Sequence, residues 1–309
     1  MQQTSLSKFW AGKTQKETVP AADEPASERK KVAEETLGAI QQGYYDLPAG
    51  LSFDLSVAVA RSKEATKYYD PNSAVLSSWS TCNISHCAET RIRFFEMSSL
   101  EGARFLSMSS PQAKIGILNF ASAKKEGGGF LRGAQAQEES LARSSTLYPT
   151  LMTTVAQQFY TLHKSSLNNG FYTHAMIYSP GCICFRDDDG GWLHPLTVDI
   201  LTSPAVNAKE VRKELGSKVA SNLLEENIEK EMKERMARIL CLFEKMGVGH
   251  LVLGSFGTGV FKNKIEMVAR LWAELLASRF NNVFSHIVFA ILGDRTFTEF
   301  RQVFTAEYQ

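Results

Sequence analysis

The chain has 309 residues, 44% hydrophobic, 22% charged and 10% aromatic, which is enough for one large domain or two small ones with a sizeable core. Lys plus Arg number 34 and Asp plus Glu 33, so a net charge of +1 creates no global field toward nucleic acid or an acidic membrane. Five scattered cysteines fit a reducing compartment, no apolar run approaches the roughly 20 residues of a membrane span, and the first residues lack a secretory apolar core, so membrane, secreted and collagen-like classes are set aside.

From Ala11 to Lys31 the chain is rich in Lys, Glu, Thr, Ala and Pro and almost free of large apolar residues, so residues 1–31 read as a disordered tail. Val32, Leu37 and Ile40 then predict a helix ending near Gly43, and Leu51–Ser62 reads as either a strand or the edge of a helical hairpin; residues 32–87 form an N-terminal helical extension. Past residue 88, short apolar runs bounded by Gly, Pro, Ser or Asp predict buried strands over Arg91–Met97, Ile115–Ala121, Thr173–Tyr178, Leu196–Leu201, His250–Gly254 and His286–Leu292. Helical patterns cover Glu138–Lys164, Asn207–Lys245 and Phe261–Phe280. Strands alternating with helices over residues 88–309 predict a three-layer α/β/α domain whose ligand sits at the carboxyl ends of the strands.

Two glycine loops follow predicted strands. In the first, the run NFASAKKEGGG (residues 119–129) is followed after seven residues by Gln137-Glu138-Glu139 at a helix start. Three successive glycines let backbone N–H groups approach a ligand, although a flexible turn before an acidic first helical turn would look the same. In the second, His250-Leu251-Val252-Leu253 runs into Gly254, Gly257 and Gly259 ahead of a helix. The second is neither a Walker loop nor a dinucleotide fingerprint, and together the two point to a diphosphate ligand beside a carboxylate.

With the blocks Ser179–Leu193, Val198–Asn207, Gly254–Phe261 and His286–Leu292 in order, the GGG-x(7)-QEE pattern resembles the signature of microbial-type poly(ADP-ribose) glycohydrolases, which have a macrodomain fold. The resemblance covers residues 80–305. It implies that Glu139 is the acid/base and that Glu138 helps hold the scissile ribose. Gly127, Gly128 and Gly129 would wrap the diphosphate from one side, and Gly257, Thr258 and Gly259 from the other. Phe261 would pack against the ribose, Asn119 would orient a ribose, and Gln137 and Val260 complete the substrate-binding set. No cofactor or metal is implied. Glu126 stands where the family usually has proline, which would loosen the loop, and Thr258 replaces a common cysteine.

Adjacent glutamates on a helix point about 100° apart, so they cannot flank a bond from opposite faces as paired glycosidase carboxylates do. One carboxyl must then give a proton to the leaving ribose oxygen and take one from water. The alternatives are an ADP-ribose-binding reader without catalysis, which would not need Glu139, and a mono-ADP-ribosyl hydrolase. The cysteines lack zinc spacing and read as thiols, while Asp187-Asp188-Asp189-Gly190-Gly191 reads as a solvated hairpin turn rather than a calcium loop.

The tail carries one further signal. Gln3, Leu6, Phe9 and Trp10 match Q-x-x-L-x-x-aromatic-aromatic, which looks like a PIP box, the motif that docks on the sliding clamp PCNA. A short 3₁₀ turn would present Leu6, Phe9 and Trp10 as one apolar plug with Gln3 in a side pocket, unless the aromatics instead fold back over the domain. The expectation is a monomer acting on ADP-ribosylated proteins, in the nucleus and also the cytoplasm, with no sequence-specific nucleic-acid binding.

Overall fold

The computed structural model describes residues 26–48, 50–81, 86, 87, 89–165 and 169–308; the motif at Gln3–Trp10 lies outside them. In chain order the elements are α1 (Ala26–Gln42), β1 (Tyr44–Leu47), β2 (Leu51–Asp54), α2 (Ser56–Ala65), β3 (Lys67–Tyr69), α3 (Ala74–Ser77), β4 (Arg91–Phe95), α4 (Ser99–Ser109), β5 (Ile115–Phe120) and α5 (Gln137–Ser144). There follow α6 (Leu147–Leu151), α7 (Thr154–Ser165), β6 (Met176–Arg186), β7 (Trp192–Ser203), α8 (Ala208–Leu215), α9 (Ser221–Lys245), β8 (His250–Leu253), α10 (Ile265–Ala277), β9 (His286–Ala290) and α11 (Asp294–Glu307).

A seven-stranded sheet of order β3-β6-β7-β5-β8-β9-β4 forms the middle layer. The run from β7 to β4 is parallel, whereas β6 is antiparallel to both of its neighbours. Successive strand residues face opposite ways, and here both faces are apolar. Leu118, Leu251, Ile287 and Phe289 join a core with α8 to α11, while Ile117, Val252, Val288 and Ala290 join one with α4 to α7. That two-sided burial explains why these strands read as continuous apolar runs, and the domain has the three layers expected.

The amino-terminal third departs from the expectation in detail. Its first helix starts at Ala26 rather than near Lys31, because Arg29 is buried a turn before the first large apolar residues, and it docks through Arg29, Ala33, Thr36 and Ala39, with Leu37 and Ile40 packing beside them. Leu51–Asp54 pairs with Tyr44–Leu47 as a hairpin, and the short β3 joins the main sheet beside β6, so the extension is built into the domain. The single helix predicted over Glu138–Lys164 is three, interrupted at Ser145, which bridges to Cys184, and again at Met152 and Thr153. The strand predicted to end at Tyr178 continues through a bulge to Arg186.

Candidate active site

Neighbouring parallel strands β5 and β8 deliver the two glycine loops to the same end of the sheet, at its carboxyl edge. The loops touch at their bases, where the rings of Phe120 and Phe256 lie 5.5 Å apart. In the first loop, the Ser122 hydroxyl accepts the amides of Lys124 and Lys125, and Gly127 and Gly128 follow in left-handed conformation, at φ 65° and 63°.

Successive residues at the start of α5 are each fixed to a different partner. The Gln137 amide completes the end of β5: its oxygen accepts Phe120 N–H at 2.9 Å, and its nitrogen donates to Leu118 O at 2.7 Å and Ser99 Oγ at 3.1 Å. Glu138 Oε2 accepts Ser122 N–H at 2.6 Å, and Oε1 accepts Asn119 Nδ2 at 3.2 Å. Glu139 Oε1 accepts Gly129 N–H at 2.8 Å. Although adjacent on a helix, the two carboxyls converge on Gly128: a Cβ there would fall directly on Glu139 Oε1 and 3.1 Å from Glu138 Oε2.

Their environments differ. Glu138 is 2% exposed while Glu139 is half-buried. Burial pushes the Glu138 carboxyl up to about 8, with Glu139 and Glu126 adding to the rise and the Ser122 and Asn119 donors opposing it. The site therefore sets a buried carboxyl with a raised pKa beside a half-buried one. Glu126, in place of proline, is tied to Lys164 on α7 at 3.4 Å, so the loop gains a tether where stiffness was expected to be lost.

Several residues do something other than their sequence pattern implied. Gln137 spends its amide on the Phe120 and Leu118 backbone and on Ser99, so it clamps α5 to the end of β5. Asn119 is fully buried, and its Nδ2 donates to Glu138 Oε1 and to Thr202 Oγ1 at 3.1 Å, so it orients Glu138. The amides of Gly128 and Gly129 are committed within the chain, to Lys125 O at 3.0 Å and to Glu139, so the triplet here cradles carboxylates.

In the second loop, the Thr258 amide and hydroxyl both turn back to Ser255 O. Buried Asn263 braces the loop by donating to Val206 O and Gly257 O at 2.7 and 3.0 Å. Among the described residues no backbone carbonyl takes the amides of Gly259, Val260 or Phe261; Gly259 and Val260 are exposed. Those amides, rather than that of Thr258, are placed to meet an anion. Phe261 is half-buried, its ring 6.0 Å from that of Tyr172, a residue in left-handed backbone that no sequence signal marked.

Arg29 was also unforeseen. Its guanidinium donates to Gly133 O at 2.6 Å and to Gln135 Oε1 at 3.0 Å, and Thr36 Oγ1 donates to Arg143 O at 2.6 Å. Ala33 packs with Phe130 and Ala142. Helix α1 is thus a brace on the outer side of the carboxylate loop.

A three-layer α/β domain thus buries one glutamate and presents its neighbour at the carboxyl ends of the parallel strands, a one-sided pairing of carboxyls. Residues 33–187 match the family model described as microbial-type PARG, catalytic domain, which crosses the boundary expected near residue 87. The chain is similar to poly(ADP-ribose) glycohydrolase from Thermomonospora curvata, with 36% identity over 91% of this chain and 99% of that one and a TM-score of 0.81. Against that enzyme bound to the inhibitor ADP-HPD, the identity is 35%, the coverage 91% and 99%, and the TM-score 0.78. The enzyme from Deinococcus radiodurans in complex with ADP-ribose is 31% identical over 86% of this chain and all of that one, with a TM-score of 0.71. No curated protein matches. The chain belongs to the microbial-type poly(ADP-ribose) glycohydrolase family.

Proposed function

We propose that this protein hydrolyses the ribose–ribose O-glycosidic bonds of poly(ADP-ribose) and releases ADP-ribose, with Glu139 as general acid and then general base. The observation that carries the assignment is the split between the carboxyls at Gly128. Glu138 is buried and held by Ser122 and Asn119, whereas Glu139 commits one oxygen to Gly129 N–H and keeps the other for chemistry. Glu139 protonates the leaving ribose oxygen; the oxocarbenium-like sugar is stabilised by the substrate's own diphosphate, and Glu139 then takes a proton from the attacking water. Glu138 holds the scissile ribose. The amides of Gly259, Val260 and Phe261 receive the diphosphate. Incubation with purified poly(ADP-ribose) should yield free ADP-ribose; intact polymer would reject the assignment.

The finer placement is also our proposal. The Gln3–Trp10 motif supports docking of the tail on PCNA, hence a nuclear enzyme that clears polymer at replication and repair sites, acting as a monomer. A peptide of residues 1–15 should bind PCNA, and alanine at both Phe9 and Trp10 should weaken it well over tenfold, since anchor truncations cost about 2 kcal/mol or more. A double variant that alters polymer hydrolysis and has no clamp affinity to lose would mean the aromatics serve the domain instead.

A further inference from the structure

The hairpin turn between β6 and β7 reads as solvated in the sequence, yet one of its aspartates points inward. Asp188 Oδ1 accepts the Ser140 hydroxyl at 2.9 Å, and Oδ2 accepts the Ser98 hydroxyl at 2.5 Å. Ser140 is the residue after Glu139, and Ser98 caps α4 by accepting Glu101 N–H at 3.1 Å. Because both hydroxyls point at the carboxylate as donors, Asp188 is an acceptor on both oxygens.

The turn is itself held in place. Asp187 Oδ1 accepts the amides of Asp189 and Gly191 at 3.1 and 2.6 Å, and Arg186 donates to Gly190 O while pairing with Glu35 of α1 at 3.0 Å. Ser144, at the far end of α5, donates to Asp187 O at 3.3 Å. The turn therefore grips α5 at its middle, through Ser140, and at its last residue, Ser144.

We propose that Asp188 is a positioning residue for the reaction: through Ser140 it fixes the helical turn that carries Glu138 and Glu139 against the glycine loop. It touches no substrate, and the proposal rests on Glu139 being the reacting carboxyl. Proton transfer is sensitive to such placement, since a displacement of about 1 Å costs on the order of 10²-fold in rate. Removing the anchor therefore lowers turnover without emptying the ligand site.

The test compares D188A, D188N, S140A and D188A/S140A in the full chain. It reads kcat and KM on poly(ADP-ribose), ADP-ribose affinity and stoichiometry by calorimetry, and melting temperature. D188A should lose about tenfold or more in kcat per ADP-ribose-binding site while its affinity stays within about twofold. S140A should show a loss of the same kind, the double variant no further loss than D188A, and D188N a partial recovery because it keeps one acceptor oxygen. S140A removes only a hydroxyl, which keeps the test open if D188A misfolds. Wild-type kcat per binding site in S140A, or losses that multiply in the double variant, would overturn the proposal. E139Q run alongside separates the two failures: if it is inactive and D188A is fully active, only the positioning role is lost, whereas turnover by E139Q removes the reading beneath it.

Discussion

Gly128→Ala is the smallest change that sets the chain against its own carboxyls. At φ 63° an L-residue costs about 1–2 kcal/mol. The new methyl would occupy the position of Glu139 Oε1, so that carboxylate must leave and give up the 2.8 Å bond from Gly129 N–H. Leaving the Gly129 donor unpaired costs about 1–3 kcal/mol. The loop must therefore absorb about 2–5 kcal/mol in all, by moving either itself or Glu139. With the acid/base displaced, kcat should fall by about 10²–10⁴-fold. Affinity for ADP-ribose should fall much less, because the Gly257–Phe261 loop is untouched. Release of ADP-ribose from polymer gives kcat, calorimetry gives affinity, and a melting curve shows that the domain is folded. A Gly128→Ala protein with kcat within about threefold of wild type would mean that Glu139 keeps its place without glycine at 128; Gly128→Val, with a branched Cβ, should lose more kcat than alanine does.

Arg29→Ala strips the donors from buried Gly133 O and from Gln135, so denaturant unfolding should show a loss of about 2 kcal/mol together with reduced kcat; unchanged values for both would mean that α1 does not brace the loop. Glu138→Gln should change how stability depends on pH. With its carboxyl raised from the ordinary value to about 8, folded Glu138 keeps a proton that the unfolded chain releases. Its contribution is then full below about pH 4.5 and is lost as pH rises through about 8, by at most about 5 kcal/mol. Wild type should therefore lose stability relative to Glu138→Gln between pH 5 and pH 8.5 in denaturant titrations. A gap independent of pH would contradict the buried, proton-retaining role.

Much of this architecture is legible in residue order. Ile115–Phe120 and His250–Leu253 are apolar on both faces because both lie mid-sheet between two helical layers, and that pattern by itself marks a buried parallel strand. The glycines and paired glutamates are visible because their chemistry needs particular residue types. What each polar group bonds to is not visible. Gln137 has the same amide whether it meets a ligand or the Leu118 and Phe120 backbone, and only the packing of α5 against β5 decides. Arg29 lies in a charged stretch that reads as solvated, and its burial rests on a carbonyl 104 positions away. The break at Ser145 has no glycine to announce it; the Cys184 bridge and the Thr146 amide bonded to Ile183 O make it, both long-range contacts. Asp188 was hidden for the same reason, since the hydroxyls it meets belong to helices distant in sequence.

The central claim is that Glu139 moves the proton while the rest of the site binds. Glu139→Gln is nearly isosteric and keeps an oxygen for Gly129 N–H, but it cannot deliver a proton. Single-turnover hydrolysis of poly(ADP-ribose), measured beside ADP-ribose affinity on the same preparation, tests the claim most directly. Cleavage should fall by about 10²-fold or more, with affinity within about tenfold of wild type. Near-wild-type cleavage by Glu139→Gln would contradict it.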